Sequence, residues 1–321
     1  MAMILKHAAA ITAIAIALTM SSMAAAQALP SESISSYDEL KIASMNVRML
    51  PAIASSGWNQ SARADLIARD KVVSGQDIVV FQEGFDNPGS ERLQANLAKE
   101  YPHQTPWVGR SKSGWDQTLG SYGALTPEDG GVSILSRWPI TVKKQYIYQD
   151  SCGLIEPLSN KGFAYAQIST PAGVVNIIGT HTQAEDSSCR VSPASVRKKQ
   201  LAELKQFIDA QKFPSNEPLF VVGDLNIIAG TAEEASLYND LDAVKPEFAG
   251  GPSFDYSRNS IAKYFYGEHP AEQLDYLLPI KGHPAPSSWK NVTHPVHSAA
   301  WTGGGQTFTD YSDHYPVFGT K

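Results

Sequence analysis

Apolar runs of strand length alternate along the chain with stretches of helical period, which predicts an α/β protein. Valine, isoleucine and phenylalanine dominate these runs, and nearly every run ends in or contains a polar side chain able to do chemistry. The six runs, in chain order, are KIASMNV, DIVVFQE, VVNIIGTH, LFVVGDLN, QLDYLL and YSDHYPVF. Their polar residues are Asn46, Glu83, His181, Asp224 with Asn226, Asp275 and His314.

Four helices are predicted between these strands. The third begins with Ser192 as N-cap and Pro193 at the first helical position, and the fourth has Thr231 and Glu234 at the spacing of a capping box. The predicted ranges are Ser61 to Val73, Ser90 to Lys99, Ser192 to Gln211 and Thr231 to Tyr238.

The N-terminal segment has the layout of a secretory signal peptide. One lysine precedes an apolar run too short to span a bilayer comfortably, and Ala26-Gln27-Ala28 provides a cleavage site. Cleavage would leave 25 basic against 32 acidic residues, a net charge of −7. No later segment has eighteen uninterrupted apolar residues. We therefore predict a signal peptide over residues 1–28 and one soluble, secreted domain over 29–321, with long surface loops at 107–131 and 252–305.

Two cysteines, Cys152 and Cys189, lie in the exported part of the chain. An even number of cysteines in an oxidising compartment favours one disulfide between them. Two free buried thiols are the alternative.

The polar residues at the strand ends have a simple individual explanation. A single Asn, Asp or Glu there is more often a turn former or a helix cap than a catalyst. Six in succession, all carboxylate, carboxamide or imidazole, indicate a common site, because strand ends at one edge of a sheet converge. Glu83 follows IVVF, where a charge needs a compensating cation or donor. Oxygen ligands without a cysteine cluster or HExxH point to a hard cation such as Mg²⁺.

Two local spacings suggest how the side chains pair. Asp224 and Asn226 are two residues apart, so in an extended backbone both face the same side. Asp313 and His314 are adjacent, so in an extended segment they face opposite sides and Asp313 is a poor partner for the imidazole. Asp275, an acid within an apolar strand, is the candidate that orients His314 as a general base.

The chain resembles the metal-dependent endonuclease/exonuclease/phosphatase superfamily and, within it, the bacterial secreted neutral sphingomyelinases. The superfamily marks run in order over nearly the whole mature chain, from the N of ASMNV through QE, TH, GDLN and LDY to the terminal SDH. The sphingomyelinase branch is suggested by finer matches, namely QEGFDN, PEDGGVSILSRWPI, DSCG, HTQAEDSSC and YSDHYPV.

The resemblance implies a DNase I-like fold, a four-layer α/β/β/α sandwich with two mixed central β-sheets. It implies Mg²⁺, with Mn²⁺ or Co²⁺ as substitutes, bound by Glu83, with Asn46 close by and Asp313 in support. It also implies that Asp224 and Asn226 position water and phosphate oxygens, and that His181 contacts the phosphate and assists the leaving group. A second, peripheral divalent ion such as Ca²⁺ would bind at Asn87, Glu128 and Asp129.

The resemblance predicts hydrolysis of sphingomyelin to ceramide and phosphocholine by in-line attack of a His-activated water, in a monomer that binds membranes transiently and no nucleic acid. A DNase-like nuclease or another phosphodiesterase or phosphatase of the superfamily is the alternative. An acidic chain whose only basic cluster is Arg197-Lys198-Lys199 argues against a nuclease. An inactive binding protein would not be expected to keep the whole polar set. Relatives carry an aromatic-tipped hairpin before SDH, whereas this chain has Gly303-Gly304-Gly305 there.

Overall fold

The computed structural model describes residues 33–51 and 57–321 of the chain. The predicted signal peptide, residues 1–28, lies outside the described residues.

The first β-sheet has seven strands and mixed directions. At its centre β1 (Ile42–Met49) and β2 (Ile78–Gly84) run parallel, as befits strands whose side chains are buried on both faces. β1 is antiparallel to its other neighbour, and β2 likewise. The remaining strands are β3 (His103–Gln104), β5 (Ser133–Ser136), β10 (Glu247–Ala249), β12 (Lys290–Thr293) and β15 (Val317–Thr320), and the order is β10-β12-β15-β1-β2-β5-β3.

The second sheet has six strands and is also mixed. Here β8 (Gly173–His181) and β9 (Leu219–Asp224) are the parallel central pair. The other members are β4 (Gln117–Gly120), β6 (Ile140–Ile147), β7 (Gly162–Thr170) and β11 (Asp275–Pro279), in the order β11-β9-β8-β7-β6-β4. A separate hairpin joins β13 (Trp301–Gly303) to β14 (Gln306–Phe308).

Residues 33–51 and 57–321 also contain five α-helices and two 3₁₀ turns. None of the helices in the described part of the chain is long and apolar enough to cross a membrane. The α-helices are α1 (Gln60–Arg69), α2 (Asn87–Leu97), α3 (Pro193–Gln211), α4 (Ala232–Asp240) and α5 (Ser260–Tyr266), and the 3₁₀ turns are Tyr37–Glu39 and Glu156–Leu158.

Three apolar clusters separate four layers. One cluster lies between the two sheets and contains Val80 and Val222. A second joins the first sheet to α1 and α2 through Ile67 and Leu93, and a third joins the second sheet to α3 and α4. Burial on both faces of both sheets explains why the central strands read as unbroken apolar runs. The α/β/β/α sandwich with two mixed sheets is confirmed.

The predicted helices are present with small shifts at their ends. Ser192 is the N-cap of α3, although its side chain makes no capping hydrogen bond. The side chain of Thr231 caps α4 by accepting from the backbone N–H of Glu234. The Glu234 carboxylate accepts from the Gly230 N–H, so the return half of the capping box moves one residue upstream.

Two local predictions were wrong. The run YSDHYPVF was predicted as a strand, but β15 begins only at Val317, and Tyr311 to Asp313 form a bend. The bend is held from outside, because Asn259 Nδ2 donates to the Ser312 carbonyl. The stretches 107–131 and 252–305 are not only surface loop. The first contains β4 and a buried Trp107, and the second contains α5 and the strands β11, β12 and β13, with Trp289 and Trp301 buried.

Candidate functional site

The polar residues at the strand ends meet at one edge of the sandwich. Asp224, the last residue of β9, lies in register with Asp275 on one side and His181 on the other. Asn46 in the first sheet donates from its Nδ2 to Glu83 Oε1 at 2.8 Å and to Asp224 Oδ2 at 3.0 Å. One carboxamide therefore joins the two sheets at the site.

The backbone at this edge is in an unusual conformation. Arg48, Glu83 and Asn226 have φ values of 44°, 58° and 50°, in the left-handed region that non-glycine residues rarely occupy. The register between β1 and β2 also shifts after Asn46. Such residues cost free energy and persist where the surrounding structure holds them, which is typical of functional sites.

His314 and Asp275 form the pair predicted from the sequence. His314 Nδ1 lies 2.8 Å from Asp275 Oδ2, and His314 Nε2 lies 3.7 Å from Asp224 Oδ2. Burial alone would lower the pKa of His314, but the carboxylates of Asp275 and Asp224 outweigh it and hold that pKa well above its usual value. The Nδ1 contact fixes the ring and leaves Nε2 facing the centre of the site.

Glu83, His181 and Asp224 form a cluster whose ligand atoms lie within 4.8 Å of one another. His181 Nε2 is 3.9 Å from both Glu83 Oε1 and Asp224 Oδ2. Burial raises the pKa of Glu83, with a further rise from Asp313, and burial raises the pKa of Asp224 to about 7. Two buried acids that resist ionisation side by side are the arrangement a divalent cation would stabilise, and their oxygens suit Mg²⁺.

Arg48 is a site residue that sequence reasoning missed. Its Nε lies 2.8 Å from Asp313 Oδ2, and its backbone N–H donates to Asn46 Oδ1. The Asn46 and Asp313 oxygens that could ligate a metal are therefore engaged by Arg48. Their assignment as direct metal ligands stays a prediction. The sequence did contain a signal for Arg48. It follows Asn46 by two residues in one strand, and residues two apart in a strand face the same side.

Lys161 is a second cation that the sequence did not disclose. Its buried Nζ lies 3.5 Å from His181 Nε2, donates to the Thr182 carbonyl at 2.8 Å and pairs with Glu156 at 2.8 Å. Burial, with Lys161 and His314 nearby, lowers the pKa of His181 well below its usual value. His181 is thus a neutral imidazole beside a fixed positive charge. Its only sequence signal was a position directly before a strand.

Asn226 and the predicted peripheral site have defined surroundings. Asn226 Nδ2 donates to the Thr182 carbonyl, and the Asn226 backbone N–H donates to Asp224 Oδ1.

Asp129, in the predicted peripheral site, accepts from Arg110 Nε at 2.7 Å and from Gly131 N at 2.9 Å. Burial raises the pKa of Asp129 to about 6, and that of Glu128 also rises through burial and Asp86. Asn87 is the first residue of α2. A divalent ion at Asn87, Glu128 and Asp129 stays a prediction.

The two cysteines form the predicted disulfide. Cys152 and Cys189 are linked, with Cα atoms 5.1 Å apart. The bridge ties the loop after β6 to the loop after β8, and both loops leave the sheet edge that carries His181 and Asp224. Cys152 N also donates to Gln183 Oε1, so the segment that follows His181 is held in place.

Known proteins share both the sequence and the fold. The sequence profile of the Endonuclease/Exonuclease/phosphatase family matches residues 43–314. A sphingomyelinase C from Bacillus cereus is 45% identical over 296 residues, which cover 88% of this chain and 89% of that protein.

Two crystal structures of similar proteins superpose on the described residues. Sphingomyelinase C from Streptomyces griseocarneus is 42% identical with a TM-score of 0.85, covering 88% of this chain and 99% of that one. A beta toxin variant from Staphylococcus aureus with bound magnesium ions is 38% identical with a TM-score of 0.85, covering 88% and 100%. Both likenesses extend over most of this chain and nearly the whole of the other.

Proposed function

The chain belongs to the endonuclease/exonuclease/phosphatase family, and from that premise we propose that it is a secreted phosphodiesterase that hydrolyses sphingomyelin to ceramide and phosphocholine. The observation that carries the proposal is the meeting of a His314–Asp275 pair with the Glu83, His181 and Asp224 cluster at one sheet edge. The 45% identity to a sphingomyelinase C supports the choice of lipid.

His314 is the general base in this mechanism. Asp275 holds Nδ1, so Nε2 takes the proton from the attacking water as the water oxygen bonds to phosphorus. The bond from phosphorus to the ceramide oxygen breaks in line with the attack. The departing oxygen takes a proton from a water molecule, and His314 returns the proton that it accepted to solvent. Asp224 and Asn226 orient the water and phosphoryl oxygens, and neutral His181 donates a hydrogen bond to the phosphate.

Glu83 and Asp224 would hold the metal ion, and His181 lies beside them. When bound, Mg²⁺ would compensate the buried carboxylates, lower the pKa of His314 toward neutrality and stabilise charge on the phosphoryl oxygens. Mn²⁺ or Co²⁺ as substitutes, and a peripheral ion such as Ca²⁺ at Asn87, Glu128 and Asp129, are finer parts of the proposal. Arg48 and Lys161 place two fixed positive charges beside the site, paired with Asp313 and Glu156 respectively.

The charges of the chain support a lipid rather than a nucleic acid substrate. The net charge is −6, and in the one basic triplet Arg197 is buried and pairs with Glu185 and Glu233. A duplex that carries a negative charge along its whole length would meet little compensating charge there. We propose further that residues 1–28 direct export and that the mature domain acts as a monomer.

The direct test offers the exported protein three substrates, each with Mg²⁺ and with EDTA. These are sphingomyelin vesicles, double-stranded DNA and a phosphoinositide. We expect phosphocholine release from sphingomyelin that depends on Mg²⁺ and stops on chelation. Release that survives EDTA, or DNA nicking without lipid cleavage, would contradict the proposal.

A further inference from the structure

The exposed apolar side chains of this protein are concentrated at the catalytic edge. In the described part of the chain, ten large apolar side chains are exposed, and nine of them lie in segments at the edge where β8 and β9 end. The exception is Val244, whose N–H donates to the carbonyl of Pro279 at the far end of β11. Chance exposure would distribute such residues over both edges.

The first group, here called the loop patch, consists of Leu125, Leu154, Ile155 and Leu158. Leu154 and Ile155 are 77% and 70% exposed. Their loop joins β6 to β7, and β7 begins beside the end of β8 because Phe163 lies in register with Thr180. The loop patch therefore rises from the sheet end that carries His181.

The loop patch is held open rather than free to fold back onto the core. The disulfide at Cys152 fixes its start, and Leu154 N donates to Ser188 Oγ. The Leu158 carbonyl accepts from Glu128 N, and Glu156 pairs with Lys161 beside His181. These contacts keep the leucine and isoleucine side chains exposed to water. Contiguous exposed apolar side chains of this kind mark a surface that a partner covers.

The second group, here called the helix patch, consists of Tyr264, Phe265 and Tyr266 of α5. The Arg48 guanidinium lies 3.6 Å above the Phe265 ring, and Tyr266 OH is 3.5 Å from Asp313 Oδ2. Trp58 packs beneath the patch, 4.7 Å from Phe265 and 5.7 Å from Tyr264. The helix patch is thus continuous with the site through the Arg48–Asp313 pair.

We propose that the loop patch and the helix patch together dock the catalytic edge onto a zwitterionic lipid bilayer. The inference rests on the proposed function, because a sphingomyelin phosphodiester stays at the membrane interface while its chains remain in the hydrocarbon. His314 and Asp224 are buried, so that phosphate reaches them only if the rim around them enters the interface. Aromatic and aliphatic residues are the side chains that partition there.

Charge favours a zwitterionic surface over an anionic one. The chain carries −6, and the loop patch lies beside Glu156 and Asp186, without a cluster of lysines or arginines in its own loop. Anionic lipids attract basic segments, and the loop of the loop patch contains no such segment. The turn between β13 and β14 carries Gly304 and Gly305, so that hairpin presents no apolar side chain at its tip.

The test compares a double variant, Leu154→Ser with Ile155→Ser, and a second variant, Leu125→Ser, with the control Val244→Ser at the opposite edge. Co-sedimentation with phosphatidylcholine and cholesterol vesicles, which contain no substrate, measures binding apart from turnover. We expect the double variant to bind at least about tenfold more weakly, from loss of buried apolar area. Leu125→Ser weakens binding less, and Val244→Ser leaves it unchanged. Equal melting temperatures verify folding.

Salt and phosphatidylserine should not strengthen binding of the unsubstituted protein. Unchanged vesicle binding in the double variant and in Leu125→Ser would overturn the inference, as would a severalfold gain from phosphatidylserine. A dimer of the unsubstituted protein that the double variant loses, with vesicle binding intact, would overturn it in favour of a second copy. Hydrolysis of sphingomyelin in detergent micelles separates the two claims. No micellar turnover overturns the proposed function, whereas normal micellar turnover with unchanged vesicle binding overturns only the docking surface.

Discussion

Arg48 and Asp313 form a buried ion pair at the site, with Arg48 Nε 2.8 Å from Asp313 Oδ2. Burial is the largest cause that raises the pKa of Glu83, and Asp313 raises it further. Arg48 acts in the opposite direction and lowers that pKa. The arginine therefore limits the repulsion between two neighbouring carboxylates while it holds one of them in place. Breaking one side of a buried pair leaves an uncompensated charge.

Replacing Arg48 by methionine should lower kcat/KM on sphingomyelin by about 10- to 100-fold, as expected for losing a buried hydrogen bond to a charged group. Arg92→Met is the matched control, because Arg92 makes the same Nε contact with Asp65 on the exposed surface. Steady-state kinetics on both variants measure the effect. Equal losses in the two would show that Arg48 has no special role.

Replacing His314 by alanine should lower turnover by about 10³-fold or more while the fold is kept, because the general base is removed. His297 provides the control, since its Nδ1 also lies near a carboxylate, 2.7 Å from Asp310 Oδ1, but away from the cluster. Turnover and circular dichroism are measured on His314→Ala and His297→Ala. Near-normal turnover of His314→Ala would remove it as the base.

Glu83→Gln should raise the Mg²⁺ concentration for half-maximal activity by more than about 100-fold, since changes even in the partners of metal ligands alter affinity by about 10- to 100-fold. Glu203→Gln serves as the control, because burial likewise raises the pKa of Glu203 but its carboxylate accepts from Gln149 N. Activity is titrated with Mg²⁺. An unchanged metal dependence in Glu83→Gln would move the ion elsewhere.

Stability without metal should depend on pH through Asp224. Its pKa is raised from 3.8 to about 7 in the folded protein, so the folded state holds this proton more tightly and stability in EDTA falls as pH rises through that interval. Mg²⁺ binds the deprotonated carboxylates. The melting temperature gained on adding Mg²⁺ should therefore increase from about pH 5 to pH 7. Asp224→Asn should flatten the EDTA profile, and a gain independent of pH would argue against this linkage.

Removing the disulfide with Cys152→Ser and Cys189→Ser together should lower the free energy of unfolding by about 4 kcal/mol, from the entropy of the loop it closes. The two cysteines are 37 residues apart in sequence. Urea denaturation measures the change, with micellar sphingomyelin turnover at low temperature as a check that the variant is folded. Equal stability of the two proteins would mean that the bridge adds nothing.

The sequence predicted the strand ends well because the central strands are buried on both faces. Glu83 and Asp224 each lie at the end of a run rich in apolar residues, and such a run in a sandwich core has few alternatives to a strand. The disulfide and the His314–Asp275 pair followed from residue type and position. The backbone conformation at Glu83 did not, because a left-handed residue within a strand has no local sequence signal.

Contacts distant in sequence explain the remaining differences. Tyr311 to Asp313 bend because Asn259 and Ser253 bind the backbone of Ser312 and Tyr315 from another segment. The helix α5 was missed because SIAKYFY is short and β-prone, although Asn259 caps it with two hydrogen bonds. Arg48 was missed for a different reason. Residue type marks acids and imidazoles as candidates for metal and proton chemistry, but a cluster of buried acids also needs cations nearby.

The left-handed backbone at Arg48, Glu83 and Asn226 has an evolutionary consequence. Glycine adopts that conformation without steric penalty, so replacing any of the three would relieve strain in the scaffold while removing a functional side chain. In a lineage no longer selected for turnover, glycine substitutions at these positions would thus produce a protein that is more stable but catalytically inactive.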